Sequence, residues 1–515
     1  MEKQLGLAIE RLGPLRDTSI EFGGLTVLIG PPASGKTYIL NALFDILKNT
    51  DPELLGACVF RKTFLGDNGN IFQELYRNKI LNPIFDFELR DNKLVVANFK
   101  LCIDPSAAAR IVEKCLRNVI IPAESKYYTY MVEGGRKEKI SILKNLLEAV
   151  NYMLVEAGFE KHPERGYCYS VDKPLAMDTV FEVESEEAGF KFYFKDKSLE
   201  NNIFKGLIKL LVLNMMLEES GELKKALQAV SNNIKVMFES EELRRYRPVY
   251  AWMGRGLITH YLISSNEILR DIVQGLGLFG LGMTYALPAY SYMRAVVAGL
   301  DLYGSQKAPP ETGLLYEIVR PIVKHSIVKN ETRLYIVVGE GRALPFRLAH
   351  GSAYSAVGLL LASLPLVREG GGFLLVDEVE HLLHPSGQAL MPLFLLALAG
   401  LGIRVVAATH STAVASVAAK IASVGTTGRE GRRLVEGLYE VLGFDPPSDE
   451  AIDLILRGAR RGVLIYNVEH GKVRRVENPM EWLGHLSEAW YELAGWVSSD
   501  VDNSYGEPVV RESTV

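Results

Sequence analysis

Apolar and polar positions along this chain alternate with two different periods. At the N-terminus, "LGLAIERLG" and "TSIEF" show some two-residue alternation, and "GLTVLIG" reads as a short buried strand, so the first 30 residues predict strand, turn, strand. The period then lengthens. In "TYILNALFDILKN", Ile39, Leu40, Leu43 and Leu47 recur at helical spacing. Residues from about 84 to 104, "IFDFELRDNKLVVANFKLCID", predict a hairpin turning at Asp91 and Asn92. "KISILKNLLEAVNYMLVEAG" places Ile142, Leu146, Leu147, Val150 and Leu154 on one helical side, with Gly158 as its C-cap. "FEVESEEAGFKFYF" predicts a second hairpin. The stretch "IFKGLIKLLVLNMMLEESGELKKALQAVSNNIKVMF" predicts mostly helix. No a/d heptad persists over several repeats, so a long coiled coil is not expected.

From about residue 333 strands and helices alternate. "RLYIVVG", "GGFLLVDE" and "IRVVAATH" read as strands. "SAYSAVGLLLASLPLV" and "GQALMPLFLLALAGLG" read as the helices between them. This order predicts a parallel sheet. "GVLIYNVEHGKVRRVE" predicts a hairpin at His470-Gly471, and the last residues form a polar, acidic tail.

Composition narrows the picture modestly. The chain has 515 residues, enough for more than one domain, with 48% apolar and 23% charged positions, a balance that can bury a large core. A net charge of −5 gives no global pull toward nucleic acid or an acidic membrane. Cys58, Cys102, Cys115 and Cys168 are scattered and form no C-x-x-C pair. They argue against a zinc ribbon and a disulfide framework, and fit a reducing, cytoplasmic compartment. The charged N-terminus lacks a signal-peptide core. The longest uncharged run, "IVQGLGLFGLGMTYALPAYSYM", carries four glycines and a proline; a buried segment is expected, with no membrane partner. Only six glutamines occur, a weak hint of a thermophilic source.

The chemistry begins in "GPPASGKT", which joins the first apolar strand to the first helix and fits G-x-x-x-x-G-K-[ST]. Gly30, Pro31, Pro32, Ala33, Ser34, Gly35, Lys36 and Thr37 are therefore expected to hold the phosphates of a nucleotide, ATP with Mg²⁺. Backbone N–H groups and a helix N-terminus supply donors to the phosphate oxygens. Lys36 would place its ammonium between the β- and γ-phosphates, and Thr37 would offer its hydroxyl to the metal.

The second half is "FLLVDEVEHLLHP". Four apolar residues lead into Asp377 and Glu378. Solvated loop carboxylates would explain the pair without function. A phosphate loop, however, needs a second strand that ends in an acid, and this strand supplies it. Asp377 is assigned to the metal and Glu378 to the attacking water as general base. A zinc site from Glu380, His381 and His384 is disfavoured, because "EHLLH" is not H-E-x-x-H and no third ligand is apparent. One helix and one strand later, His410 ends "RVVAATH", where it could reach the γ-phosphate. The cluster "ELRRYRP", with Arg244, Arg245 and Arg247, reads either as a phosphate-backbone grip or as a solvated helix end.

Together, "GPLRDTSIEFGGLTVLIGPPASGKT", "LLVDEVEHLLHP", "ATHS" and "YALPAYSYMRA" resemble ABC-type ATPases of the SMC/RecF/OLD-like branch. The resemblance covers about a third of the chain, at its two ends. It implies a homodimer that sandwiches ATP, each nucleotide touching one subunit's phosphate loop and the other's serine/glycine signature. By position that signature is "LPFRLAHGSAYSAVG", with Gly351 and Ser352 at a helix start. The resemblance also implies a glutamine near the metal, for which Gln73 is suitably placed. Two departures stand out: His350-Gly351-Ser352 replaces the usual S-G-G or S-S-G, and Pro32 stands where asparagine is usual. Neither a long coiled coil nor an acidic Toprim-type nuclease cluster is recognisable.

These readings converge on an α/β P-loop ATPase head with a mostly parallel central sheet and an N-terminal antiparallel β subdomain. The expected divisions are residues 1–110 and 333–480 for the two parts of the head, 111–332 for a mainly helical insert, and 481–515 for a C-terminal helix and acidic tail. The expected function is slow ATP hydrolysis coupled to head dimerisation, with DNA maintenance or defence implied by the resemblance and DNA or a protein partner at the insert. The alternative is a non-hydrolytic, ATP-gated scaffold. A small-molecule kinase is disfavoured, since no lid or acceptor signature appears.

Overall fold

The computed structural model describes residues 4–50, 81–90, 93–106, 125–133, 136–140, 148, 150–152, 154–171, 175–177, 181–186, 189–194, 225, 229, 244–251, 255–264, 287–330, 333–338, 341–424, 428–476 and 478. It opens with β1 (Gln4–Leu12), β2 (Leu15–Glu21) and β3 (Leu25–Ile29), followed by α1 (Lys36–Leu47). Next come β4 (Leu81–Arg90), β5 (Lys93–Ile103), β6 (Lys126–Glu133), β7 (Arg136–Ile140), β8 (Glu160–His162), β9 (Gly166–Val171), β10 (Leu175–Met177), β11 (Phe181–Glu186), β12 (Gly189–Phe194) and β13 (Pro248–Ala251). Among the described residues the helices α2 (Arg255–Ser264), α3 (Leu287–Leu302) and α4 (Thr312–Val323) follow, and then the meander β14 (Ser326–Asn330), β15 (Arg333–Val338) and β16 (Arg342–Pro345). The chain continues through α5 (Gly351–Glu369), β17 (Gly372–Val376), α6 (Pro385–Gly400), β18 (Ile403–Thr409), α7 (Thr412–Val424), α8 (Gly428–Val441) and α9 (Asp449–Arg460). It closes on the hairpin β19 (Val463–Glu469) and β20 (Lys472–Arg475).

The central sheet runs β13-β17-β18-β3-β19-β20. Its first five strands are parallel, and β20 returns antiparallel from β19. Strands buried on both faces read as near-continuous apolar runs, and β3 (LTVLI) and β17 (GFLLV) are buried throughout, with the polar Thr26 hydroxyl accepting from the Gly23 N–H at 3.1 Å. Alternate residues then enter different cores. Leu25, Val27, Leu374, Val376, Val405 and Ala407 join the helical core built largely from α3 to α6. Leu28, Phe373, Leu375, Val406 and Ala408 face the other way, against α1 and the sheet of β1 and β2. The result is an α/β fold with a mostly parallel sheet between a helical layer and an antiparallel N-terminal sheet, ordered β2-β1-β6-β7. The phosphate-loop strand β3 and the acidic strand β17 are separated by one strand, β18.

Some sequence readings require adjustment. Strands from the stretch 111–332 join sheets with strands outside it: β6 pairs with β1, β7 pairs with β6, and β13 is the edge strand beside β17. Most of the helix read across residues 203–238 lies outside the described residues, as do Gln73, Cys58, Cys115 and the tail from 481. The expectation of no disulfide is corrected at one pair. Cys102 and Cys168 are bonded, because β5 and β9 pair antiparallel with these two residues directly opposite each other. Among the described residues one helix, α5, is long and apolar enough to cross a membrane, but 78% of its apolar window is buried inside the fold. Of the glycine-rich run at 272–293, residues 287–293 are described, and they form the start of α3.

Candidate nucleotide site

Gly30 to Thr37 wraps the end of β3 and starts α1. At Gly30 a Cβ would lie 2.1 Å from the carbonyl oxygen of Val468, so only glycine lets the loop pass the end of β19. Gly35, the N-cap of α1, has φ 113°, a left-handed conformation, and its Cβ would strike Leu15. Ala33 also takes a left-handed φ of 59°. The loop conformation is thus imposed by its sequence and by the strands beside it.

Lys36 is buried at the base of this loop. Its Nζ donates to Gly30 O at 2.8 Å and Pro31 O at 2.9 Å, and stands 3.4 Å from Ser34 Oγ and from His410 Nδ1. Burial lowers its pKa to about 8, against the opposing pull of Asp377, Glu380 and Glu378. Thr37 Oγ1 donates to Asp377 Oδ2 at 3.0 Å. Asp377 is buried, and burial raises its pKa; the hydrogen bond from Thr37 opposes that shift, while the charge of Glu378 adds to it. A carboxylate and a hydroxyl, both hard oxygen donors, suit Mg²⁺, and a cation here would relieve the cost of burying Asp377.

Glu378 follows with a left-handed φ of 50°. Its Oε2 lies 3.8 Å from His381 Nδ1. Glu380 does different work: its carboxylate accepts from Thr409 Oγ1 at 2.6 Å and from the His410 backbone N–H at 2.7 Å. It therefore fastens the end of β18 to the loop after β17 and sets where His410 starts. Asp377, His410 and the phosphate loop are brought together through Thr37 and Lys36, with Glu378 next in the chain.

Gly351 and Ser352 begin α5, as read from the sequence, but meet a different loop. Ser352 Oγ donates to Leu382 O at 2.7 Å and lies 3.4 Å from the His384 backbone N–H. Gly351 packs beside the Leu382 side chain. His350 caps the helix: Nδ1 accepts from the Ala353 N–H at 3.3 Å, which leaves Nε2 to donate to Val323 O at 3.0 Å. Neither this role of Glu380 nor Arg255, whose guanidinium is wholly buried under the Asp377 loop, is among the sequence expectations. The i+3 spacing from Asp377 to Glu380 was a usable signal; nothing in "WMGRGL" marks Arg255. In the basic cluster, Arg247 pairs with Glu369 at 2.9 Å, and Tyr246 stacks on Phe373, which favours a structural role there.

Residues 145–416, just over half of the chain, match the family described as "AAA domain, putative AbiEii toxin, Type IV TA system". The matched range contains β17 and His410 and begins after the phosphate loop. Among curated proteins, none matches this sequence. Solved structures similar at low identity include two SMC heads. One is the SMC head domain from Thermotoga maritima, at 11% identity and a TM-score of 0.28, covering 81% of this chain and 92% of that one. The other is the SmcHead bound to the C-winged helix domain of ScpA, at 9% identity and a TM-score of 0.31, covering 93% and 98%.

Proposed function

We propose that this chain, which belongs to the AAA-domain family matched across residues 145–416, binds Mg²⁺-ATP at the loop Gly30–Thr37 and hydrolyses it. The observation that carries this reading is the hydrogen bond between Thr37 and Asp377 beside buried Lys36. It joins a phosphate loop to an acidic strand end, the two halves such a site needs. Thr37 and Asp377 would hold the metal, which when bound neutralises charge on the phosphates. Lys36 exchanges its loop carbonyls for phosphate oxygens. Glu378 orients the attacking water and takes its proton. His410 stays next to Lys36 at the γ-phosphate end.

The rest of the reading rests on the family resemblance. Two copies associate on ATP, with Gly351 and Ser352 of each reaching the other's nucleotide, in the cytoplasm, in a process that acts on DNA or on a protein partner. The test is phosphate release by the wild type and Glu378→Gln, with and without DNA, beside sizing chromatography in ATP. Turnover that needs Glu378 supports an ATPase. ATP-dependent association without turnover supports the gated scaffold instead.

A further inference from the structure

Arg255 opens α2 with no exposed surface. Among the described residues its guanidinium pairs directly with no carboxylate. It donates instead to three successive backbone carbonyls: Nη1 to Asp377 O at 2.6 Å, and Nη2 to Glu378 O at 2.8 Å and Val379 O at 3.1 Å. Three neighbouring carbonyls that converge on one point repel each other. A buried cation offsets that repulsion, and a planar fork can serve several acceptors at fixed angles.

The amides of the same stretch are held by the neighbouring strands. The Asp377 N–H donates to Ala251 O of β13 at 2.9 Å, and the Val379 N–H to Ala408 O of β18 at 3.1 Å. The segment is thus gripped from both edges, and between the grips Glu378 adopts its left-handed φ of 50°. A non-glycine residue keeps such a conformation only where its surroundings over-determine it. The alternation it creates sends the Asp377 carboxylate to Thr37 and leaves the Glu378 side chain part-exposed beside His381.

We propose that Arg255 is a positioning residue for ATP hydrolysis, fixing the peptide frame from Asp377 to Val379 so that the two adjacent carboxylates serve different partners. The inference rests on the hydrolytic reading above. Its structural part can be tested without turnover. Lysine keeps the charge but cannot fork across three carbonyls, so Arg255→Lys separates frame-holding from charge.

The experiment combines hydrogen–deuterium exchange on the ligand-free full chain with steady-state phosphate release. In Arg255→Lys, amides across 378–383 exchange faster, while those of α6 and β18 keep wild-type rates. kcat falls on the order of 10²-fold, as small misplacements of reacting groups do, with KM for Mg²⁺-ATP within a few-fold of wild type. Arg255→Met shows the larger exchange change; if it fails to fold, the Lys variant decides. Unchanged exchange at 378–383, an unchanged kcat, or uniformly faster exchange with kcat and KM failing together would overturn the proposal. Local exchange change beside a wild type that releases no phosphate would instead overturn the hydrolytic reading and leave the frame held by Arg255 standing.

Discussion

Thr37 and Asp377 lie 340 positions apart in the chain and meet through a 3.0 Å hydrogen bond. The contact exists because β18 alone separates β3 from β17, so the start of α1 and the end of β17 emerge on the same edge of the sheet. Removing the hydroxyl leaves a buried carboxylate without its donor, a loss of about 1–3 kcal/mol. Thr37→Val should therefore lower the unfolding midpoint slightly and weaken Mg²⁺-ATP binding strongly, while Thr37→Ser keeps both. Calorimetry with Mg²⁺-ATP and thermal unfolding check the pair. Equal affinity in Thr37→Val would remove Thr37 from the metal site.

What the sequence disclosed follows from how local each signal is. The strands β3 and β17 are largely apolar runs, β3 bounded by glycines and β17 ending in charge, and the phosphate loop lies between a strand and a helix. Both facts can be read without knowing what packs against what. The edge strand β13 is only four residues, PVYA, beside the cluster Arg244–Arg247, and its partner is more than a hundred residues on. Arg255 and Ser352 make their contacts to backbone carbonyls, which any sequence can supply, so no residue pattern announces them. The Cys102–Cys168 bond depends on β5 pairing with β9 rather than only with its hairpin neighbour β4. Spacing does not encode that choice.

The adjacent carboxylates should separate by mutation. Asp377→Asn removes the charge that would hold the metal and should lose Mg²⁺-ATP binding and any dimer with it. Glu378→Gln keeps size and hydrogen bonding but cannot take a proton. Loss of a positioned general base typically slows the step by about 10² to 10⁴. Its binding should survive, so the ATP-bound form accumulates in sizing chromatography while phosphate release nearly stops. Full turnover in Glu378→Gln would move the base to another group, with His410 beside Lys36 the nearest candidate.

Ser352 offers a test of association that spares the nucleotide loop. Its hydroxyl is engaged within its own chain, with Leu382 O and the His384 N–H, so a contact with a second copy's nucleotide requires it to change partners. Ser352→Arg should block ATP-dependent dimers and leave ATP affinity of the monomer unchanged by calorimetry. Ser352→Ala should weaken dimers less, because the helix start and Gly351 keep their N–H donors. Normal dimers in Ser352→Arg would place the interface elsewhere.

Lys36 predicts a proton linkage. In the ligand-free protein burial brings its pKa to about 8, below the ordinary 10.5. The sign is fixed: between these values the unfolded chain binds more protons, so this group makes stability rise with pH through that window. Nucleotide acts oppositely, because phosphate charge next to Nζ favours the ammonium. Binding of Mg²⁺-ATP at about pH 8 should therefore draw in roughly half a proton per site, since about half of the ligand-free molecules then carry neutral Lys36. Titration calorimetry in two buffers of different ionisation enthalpy measures this directly, and the uptake should shrink toward zero as pH falls a unit or more below 8. Lys36→Ala should lose most of the affinity while remaining folded. Binding at about pH 8 without proton uptake would mean that Asp377, Glu380 and Glu378 outweigh burial and keep Lys36 charged before nucleotide arrives.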